Sequence, residues 1–213
     1  MSPSSPRRRF ISFEGSEACG KTTQIALLKE TLERRGEKVV VTREPGGTPV
    51  GETLRTLLKS APEGRGMSPE TELLLFTASR AELVRKVILP ALDEGKWVLS
   101  DRFSDSTLVY QGVARGLSVE TIARVNGVAT GGLEPGLTLL FDLAPEVAMG
   151  RVRSRALFDR IDEEDVAFFT RVRQGFLDLA VAHPARIKRI DAAPAVAEVA
   201  AAVGKEVTDA FQF

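Results

Sequence analysis

The 213-residue chain has one cysteine, Cys19, and one histidine, His183. A single thiol excludes an intramolecular disulfide and any thiolate metal cluster. His183 is followed by Pro184 at an expected helix end and is assigned no catalytic role. Neither sign of charge is in excess, since 29 Lys and Arg balance 29 Asp and Glu. No global basic field therefore draws the chain to nucleic acid or to a membrane surface. No apolar run approaches the ~20 residues that a spanning helix needs. Residues 1–9, rich in Ser, Pro and Arg, lack the apolar segment of a secretory signal and read as a flexible tail. Repeats and low-complexity blocks are missing beyond it. A soluble, cytoplasmic protein is expected, with residues 10–213 forming a single domain.

What the chain does have is a recurrence of strand then helix. Segments 10–14 (FISFE), 38–42 (KVVVT), 97–100 (WVLS, ending at Asp101), 137–143 (LTLLFDL) and, more weakly, 187–191 (IKRID) read as strands. Ile25, Leu28 and Leu32 fall on one helical face that Gly36 closes. Helices are also predicted over 50–59, over 69–92 with a kink at Pro90, and from Pro194 onward. Strands apolar on both faces that alternate with helices indicate an α/β fold, a mainly parallel sheet covered on both sides. Ligands in such folds bind beyond the carboxyl ends of the strands.

The first strand runs into residues 15–22, Gly-Ser-Glu-Ala-Cys-Gly-Lys-Thr, which fill every fixed position of G-x4-G-K-[ST]. Glycines let the backbone curl so that its N–H groups converge on phosphate oxygens, and the following helix points its positive end at the same place. Gly15, Ser16, Glu17, Ala18, Cys19, Gly20, Lys21, Thr22 and Thr23 are thus the candidate ATP-binding set. Lys21 is expected to reach the β- and γ-phosphates, and the Thr22 hydroxyl to ligate Mg²⁺. Cys19 is read as a small side chain fitting a tight loop rather than as a reactive thiol. The motif specifies a nucleoside triphosphate and leaves the phosphoryl acceptor open. A guanine-specific switch is disfavoured because no N-K-x-D element follows a later strand.

Four further stretches extend the reading: Phe13-Glu-Gly, residues 42–48 (TREPGGT), residues 101–107 (DRFSDST) with Tyr110-Gln-Gly112, and Asp159-Arg-Ile161. With the phosphate loop, they resemble the bacterial thymidylate kinase family, in order, from residue 10 to about 191. The resemblance implies a P-loop NTPase three-layer sandwich whose five-stranded parallel sheet is flanked by helices and carries a lid over about 150–161. It also implies a homodimer that passes the γ-phosphoryl of ATP to dTMP. Asp101, presented at the end of an apolar strand, would hold Mg²⁺ with Thr22. By resemblance Arg102 and Arg55 bind the acceptor phosphate, a task that suits the planar guanidinium fork. Glu17, an odd anion among phosphates, would accept from the acceptor's 3′-hydroxyl. Phe76 alone would read as core; the resemblance turns it toward stacking on the base, with Arg80 and Thr107 at the base edge and Gln111 beside them. Tyr110 would pack under the sugar and leave no room for a 2′-hydroxyl.

Arg151, Arg153, Arg155 and Arg160 crowd one short stretch in a chain of zero net charge. A solvated basic helix face is the default for such a run. A kinase, however, needs cations around the migrating phosphoryl group, and an arginine placed there is worth ~10³–10⁵ in rate. One branch of the family carries that arginine in the phosphate loop, where this chain has Ala18. The lid must then supply it. Arg155 is the first candidate, ahead of Arg151, Arg153 and Arg160, which are expected to join the ATP-binding set. Catalysis is accordingly assigned to Lys21, Arg155, Arg102 and Glu17, and the competing reading is another nucleoside monophosphate or deoxynucleoside kinase on the same scaffold.

Overall fold

A computed structural model describes residues 9–153 and 160–212. Five parallel strands form one sheet: β1 (Phe10–Gly15), β2 (Val39–Arg43), β3 (Trp97–Asp101), β4 (Leu137–Asp142) and β5 (Ile187–Asp191), in the order β2-β3-β1-β4-β5. β1 and β4 are buried along their whole length. Alternation explains this, because successive side chains leave opposite faces. Ile11, Phe13 and Leu139 pack with Ile25, Leu28 and Leu32 of α1 (Lys21–Arg34) and with Val199 and Val203 of α9 (Val196–Phe211). Phe10 and Val98 join Leu83, Val84 and Ile88 in a second cluster, and Leu140 joins Tyr110, Phe168 and Phe176 in a third.

The helices start where the sequence says they should. Thr48 accepts from Gly51 N–H at 3.0 Å and Pro49 takes the first position of α2 (Pro49–Lys59). Ser68 and Pro69 do the same for α3 (Pro69–Leu83). The run continues to residue 93, but the irregularity precedes Pro90. Residues 84–88 form a π-turn before α4 (Leu89–Asp93). Pro90 has no N–H to complete the regular ladder, so the preceding turn widens instead of breaking. After β3 come α5 (Ser104–Thr107), a second π-turn over Leu108–Ala114, and α6 (Val119–Thr130). α7 (Pro145–Arg153) follows β4, α8 (Val166–Ala182) precedes β5, and His183 is the C-cap of α8. Among the described residues no helix is long and apolar enough to cross a membrane.

β2, β3 and β1 lie side by side, and their carboxyl ends deliver Glu44, Arg102 and the phosphate loop to one edge of the sheet.

Candidate active site

The loop after β1 is shaped by backbone demands. Gly15 has φ +133°, and a Cβ there would lie 2.4 Å from the Phe141 carbonyl oxygen, so only glycine fits. Ala18 holds φ +54° despite its side chain, the kind of local cost that collects at functional sites. Gly20 caps α1 without a side-chain bond and α1 has no acid in its first turn, which leaves the first N–H groups open to an anion. The Lys21 ammonium folds across the loop, donating to Ser16 O at 2.8 Å, to Gly15 O at 3.4 Å and to Cys19 Sγ at 3.4 Å. Cys19 is buried and donates to Ser16 O at 3.1 Å, a packing role.

The Thr22 hydroxyl donates to Asp101 Oδ2 at 3.3 Å, so the two expected metal ligands meet. Two hard oxygen donors suit Mg²⁺, which keeps waters and takes its other ligands from substrate phosphates. No group of three or more His, Cys, Asp or Glu that could hold a metal occurs among the described residues. A site completed by nucleotide oxygens fits this donor set better than an all-protein cage.

Glu17 and Arg102 form the centre. Arg102 Nη2 donates to Glu17 Oε1 at 2.6 Å and to the Tyr110 hydroxyl at 3.2 Å, and its guanidinium sits 5.0 Å from the Tyr110 ring centre. Burial would raise the Glu17 carboxyl, but Arg102, Lys21 and Lys59 outweigh it and hold the group down at about 2. Glu17 is therefore an anion at neutral pH, and the compensation its position requires is present. Burial lowers Arg102 less than Glu17 and its other neighbours raise it, so the cation is secure. Burial likewise pushes the Tyr110 phenol up, keeping it neutral. Arg102 adopts φ +72°, a strained conformation for a non-glycine residue.

Phe76, Arg80, Arg102, Thr107, Tyr110 and Gln111 line one cleft with Glu17 and Lys59, so seven of the eight expected acceptor residues, Glu17 among them, gather there. Arg55 does not join them. It lines the neighbouring phosphate-loop cleft and donates to the Pro45 carbonyl at 2.9 Å. Arg80 is 1 % exposed, and its five guanidinium hydrogens all meet protein acceptors: Glu44, the Thr107 hydroxyl, Asn126 Oδ1 and the Phe103 carbonyl. Burial raises the Glu44 carboxyl more than Arg80 lowers it. A base edge that engages Arg80 must displace one of these partners. Gln111 Nε2 donates to Glu72 at 2.7 Å.

Arg151 and Arg160 diverge. Arg151, on α7, donates to the Ala18 carbonyl at 3.4 Å and so touches the phosphate loop. Arg160 turns the other way: Nη2 pairs with Glu72, Nε donates to Leu58 O at 3.0 Å and the backbone N–H to Lys59 O at 3.0 Å. The Arg153 side chain and Arg155 lie outside the described residues.

Sequence reasoning missed Lys59. It lines both clefts and acts on Glu17. Its position four residues after Arg55, on the same face of α2, was the available signal. Glu44 lies in the 42–48 stretch, but its pairing with Arg80, like the buried pairs by which Glu72 and Asn126 hold the site arginines and Gln111, has no local signature. A larger cavity of about 190 Å³ opens beside Glu17 between α7 and α8, but Ala148, Met149, Val152 and Phe169 make it apolar and residues 162–164 make its rim acidic. That lining is a poor match for phosphate.

A phosphate loop, a Thr–Asp oxygen pair and a second, arginine-bearing cleft that shares Glu17 define the class: a P-loop phosphotransferase with a separate acceptor site. The thymidylate kinase family model matches residues 13–203. The chain is 54 % identical over 194 residues to a thymidylate kinase of Synechococcus sp. (strain JA-3-3Ab), covering 91 % of this chain and 92 % of that one. It is 53 % identical over 190 residues to a thymidylate kinase of Symbiobacterium thermophilum, covering 89 % and 88 %. The crystal structure of thymidylate kinase from Ehrlichia chaffeensis superimposes with a TM-score of 0.76 at 35 % identity, covering 93 % of this chain and 97 % of that one. The chain belongs to the thymidylate kinase family.

Proposed function

We propose that the chain moves the γ-phosphoryl group of ATP to dTMP, giving dTDP and ADP, with the donor on residues 15–23 and the acceptor in the cleft from Phe76 to Tyr110. The observation that carries this reading is the Glu17–Arg102 contact at 2.6 Å, which joins the two clefts. Phosphoryl transfer needs little covalent chemistry from the protein, so positioning and charge do most of it. Lys21 and the N-terminus of α1 hold the donor phosphates, and Arg151 closes on the loop from the lid. Arg102 takes the acceptor phosphate, and Glu17 orients both Arg102 and the sugar hydroxyl. Phe76 and Tyr110 bound the base and sugar, and Thr107, Gln111 and Arg80 define the base edge. Arg55 serves the phosphates from the loop side of α2. Arg155 supplies the cation for the migrating group, since Ala18 leaves that role unfilled. Mg²⁺ held by Thr22 and Asp101 neutralises donor phosphate charge. The lid over about 150–161 excludes water, so that the phosphoryl goes to the acceptor. The working form is a cytoplasmic homodimer, and residues 10–213 act as one domain.

Separate equilibrium titrations test the division of the site. Lys21→Ala is expected to weaken a non-hydrolysable ATP analogue at least tenfold and leave dTMP within twofold, with Arg102→Ala the reverse. Both variants losing the same ligand would refute the two-cleft assignment.

A further inference from the structure

Glu14, near the end of β1, is a carboxyl side chain only 1 % exposed, in a strand otherwise buried among apolar residues. Such a group is costly to bury, and an apolar residue would pack there more cheaply. Its two oxygens point at one turn. Oε1 accepts from Phe103 N–H at 2.8 Å and Oε2 from the Ser106 hydroxyl at 2.6 Å. Those contacts bracket the segment that follows Arg102, whose φ of +72° persists only where the surroundings impose it. The neighbouring restraints agree: Arg102 N–H donates to Phe13 O at 2.9 Å, and the Ser100 hydroxyl to Arg102 O at 2.7 Å. Ser106 then carries the restraint outward. Its hydroxyl donates to Glu14 and accepts from Arg102 Nη1 at 3.1 Å.

We propose that Glu14 is a positioning residue for acceptor binding, fixing the strained Arg102 backbone through Phe103 and aiming the Arg102 guanidinium through Ser106. This rests on the assignment of Arg102 to the acceptor phosphate. The fold does not depend on Glu14 alone, because Asp105 on the same short helix is clamped by Arg186 at 2.6 and 3.0 Å. Burial and the Asp105 carboxylate push the Glu14 carboxyl up to about 8, so a neutral amide of the same shape suits the site.

Steady-state kinetics with dTMP and ATP varied separately, alongside melting temperatures, test the role in Glu14→Ala, Glu14→Gln, Ser106→Ala and Arg102→Ala. Glu14→Ala is expected to raise the KM for dTMP about tenfold and leave the KM for ATP within twofold. Glu14→Gln, which can still accept from Phe103 N–H and bond Ser106, is expected to restore the dTMP KM to within about threefold of the parent. Ser106→Ala is expected to raise the dTMP KM about threefold or more, and it carries the test alone if Glu14→Ala fails to fold. Equal losses for both substrates, or a Gln variant as impaired as the Ala variant, would overturn the proposal. An unchanged dTMP KM in Arg102→Ala would overturn the Arg102 assignment and the proposal with it; a raised KM there but not in Ser106→Ala would overturn the proposal only.

Discussion

Glu17 and Arg102 should behave as one energetic unit, and a double-mutant cycle measures how much. Their side chains are 18 % and 13 % exposed, and their atoms approach to 2.6 Å. The Glu17 carboxyl falls from an ordinary 4.5 to about 2 although burial opposes it. At ~1.4 kcal/mol per pK unit, that shift is a net ~3 kcal/mol in favour of the anion. Arg102 is the foremost of the three cations responsible, with Lys21 and Lys59 behind it. About 2 kcal/mol is therefore assigned to the pair itself. Removing either partner leaves the other buried and unpaired, which costs ~3–5 kcal/mol. Removing both relieves the mismatch. Urea denaturation at pH 7.5 of the parent, Glu17→Gln, Arg102→Ala and the double variant gives the coupling. The double variant is expected to be ~2 kcal/mol more stable than the two single losses predict when summed. Additivity within ~0.5 kcal/mol would refute the pairing as the site's electrostatic centre.

Arg155→Ala is expected to lower kcat by ~10² or more with nucleotide affinity little changed, measured by coupled ADP release; near-normal turnover would shift the role to another lid arginine. Lys59→Met removes a cation from the junction of the two clefts. It should lower kcat/KM for dTMP about tenfold while Lys59→Arg retains most of it, and equal activity in parent and Met variant would contradict an electrostatic role for Lys59 at that junction. Glu14 sets a pH dependence of stability. Its folded value of about 8 lies above the ordinary 4.5, so the folded state retains a proton that the unfolded chain has lost. Stability contributed by Glu14 is complete below about 4.5 and is lost as pH rises toward about 8. Urea midpoints at pH 5 and pH 8 should therefore converge in Glu14→Gln relative to the parent, and parallel pH profiles would contradict the shift. Glu17 has the opposite sign, its contribution being present above 4.5 and lost as pH falls toward about 2.

Local patterns carried the fold a long way. Five β-rich apolar runs gave five parallel strands with ends moved by a residue at most, most plainly at β1, β3 and β4, where two-sided burial leaves an unambiguous composition. The P-loop was legible since its geometry depends on particular residues at fixed spacing, as Gly15 against the Phe141 carbonyl illustrates. Pro90 signalled an irregular helix, but not that the irregularity would be a π-turn over residues 84–88 in place of a kink at Pro90 itself. The acceptor cleft was readable only through the resemblance. Phe76 alone reads as core, and it does lie partly packed against the third cluster while also lining the cleft. Arg55 and Arg160 show the limit: their charge is plain in the sequence, whereas the Pro45 carbonyl across the β2–α2 turn and Glu72, 88 residues back, decide where each points. Lys59 was invisible for a related reason, since only the junction of two clefts gives its charge a purpose.

The most direct test of the central claim is coupled ADP release by the purified chain with ATP, Mg²⁺ and a panel of monophosphates. dTMP is expected to give the highest kcat/KM, with dUMP lower by the ~1–3 kcal/mol that one methyl group provides and with dGMP and dCMP lower still. Turnover of dTMP no faster than that of dUMP, dGMP or dCMP would contradict the assignment of the cleft lined by Phe76, Thr107 and Tyr110 to thymidylate.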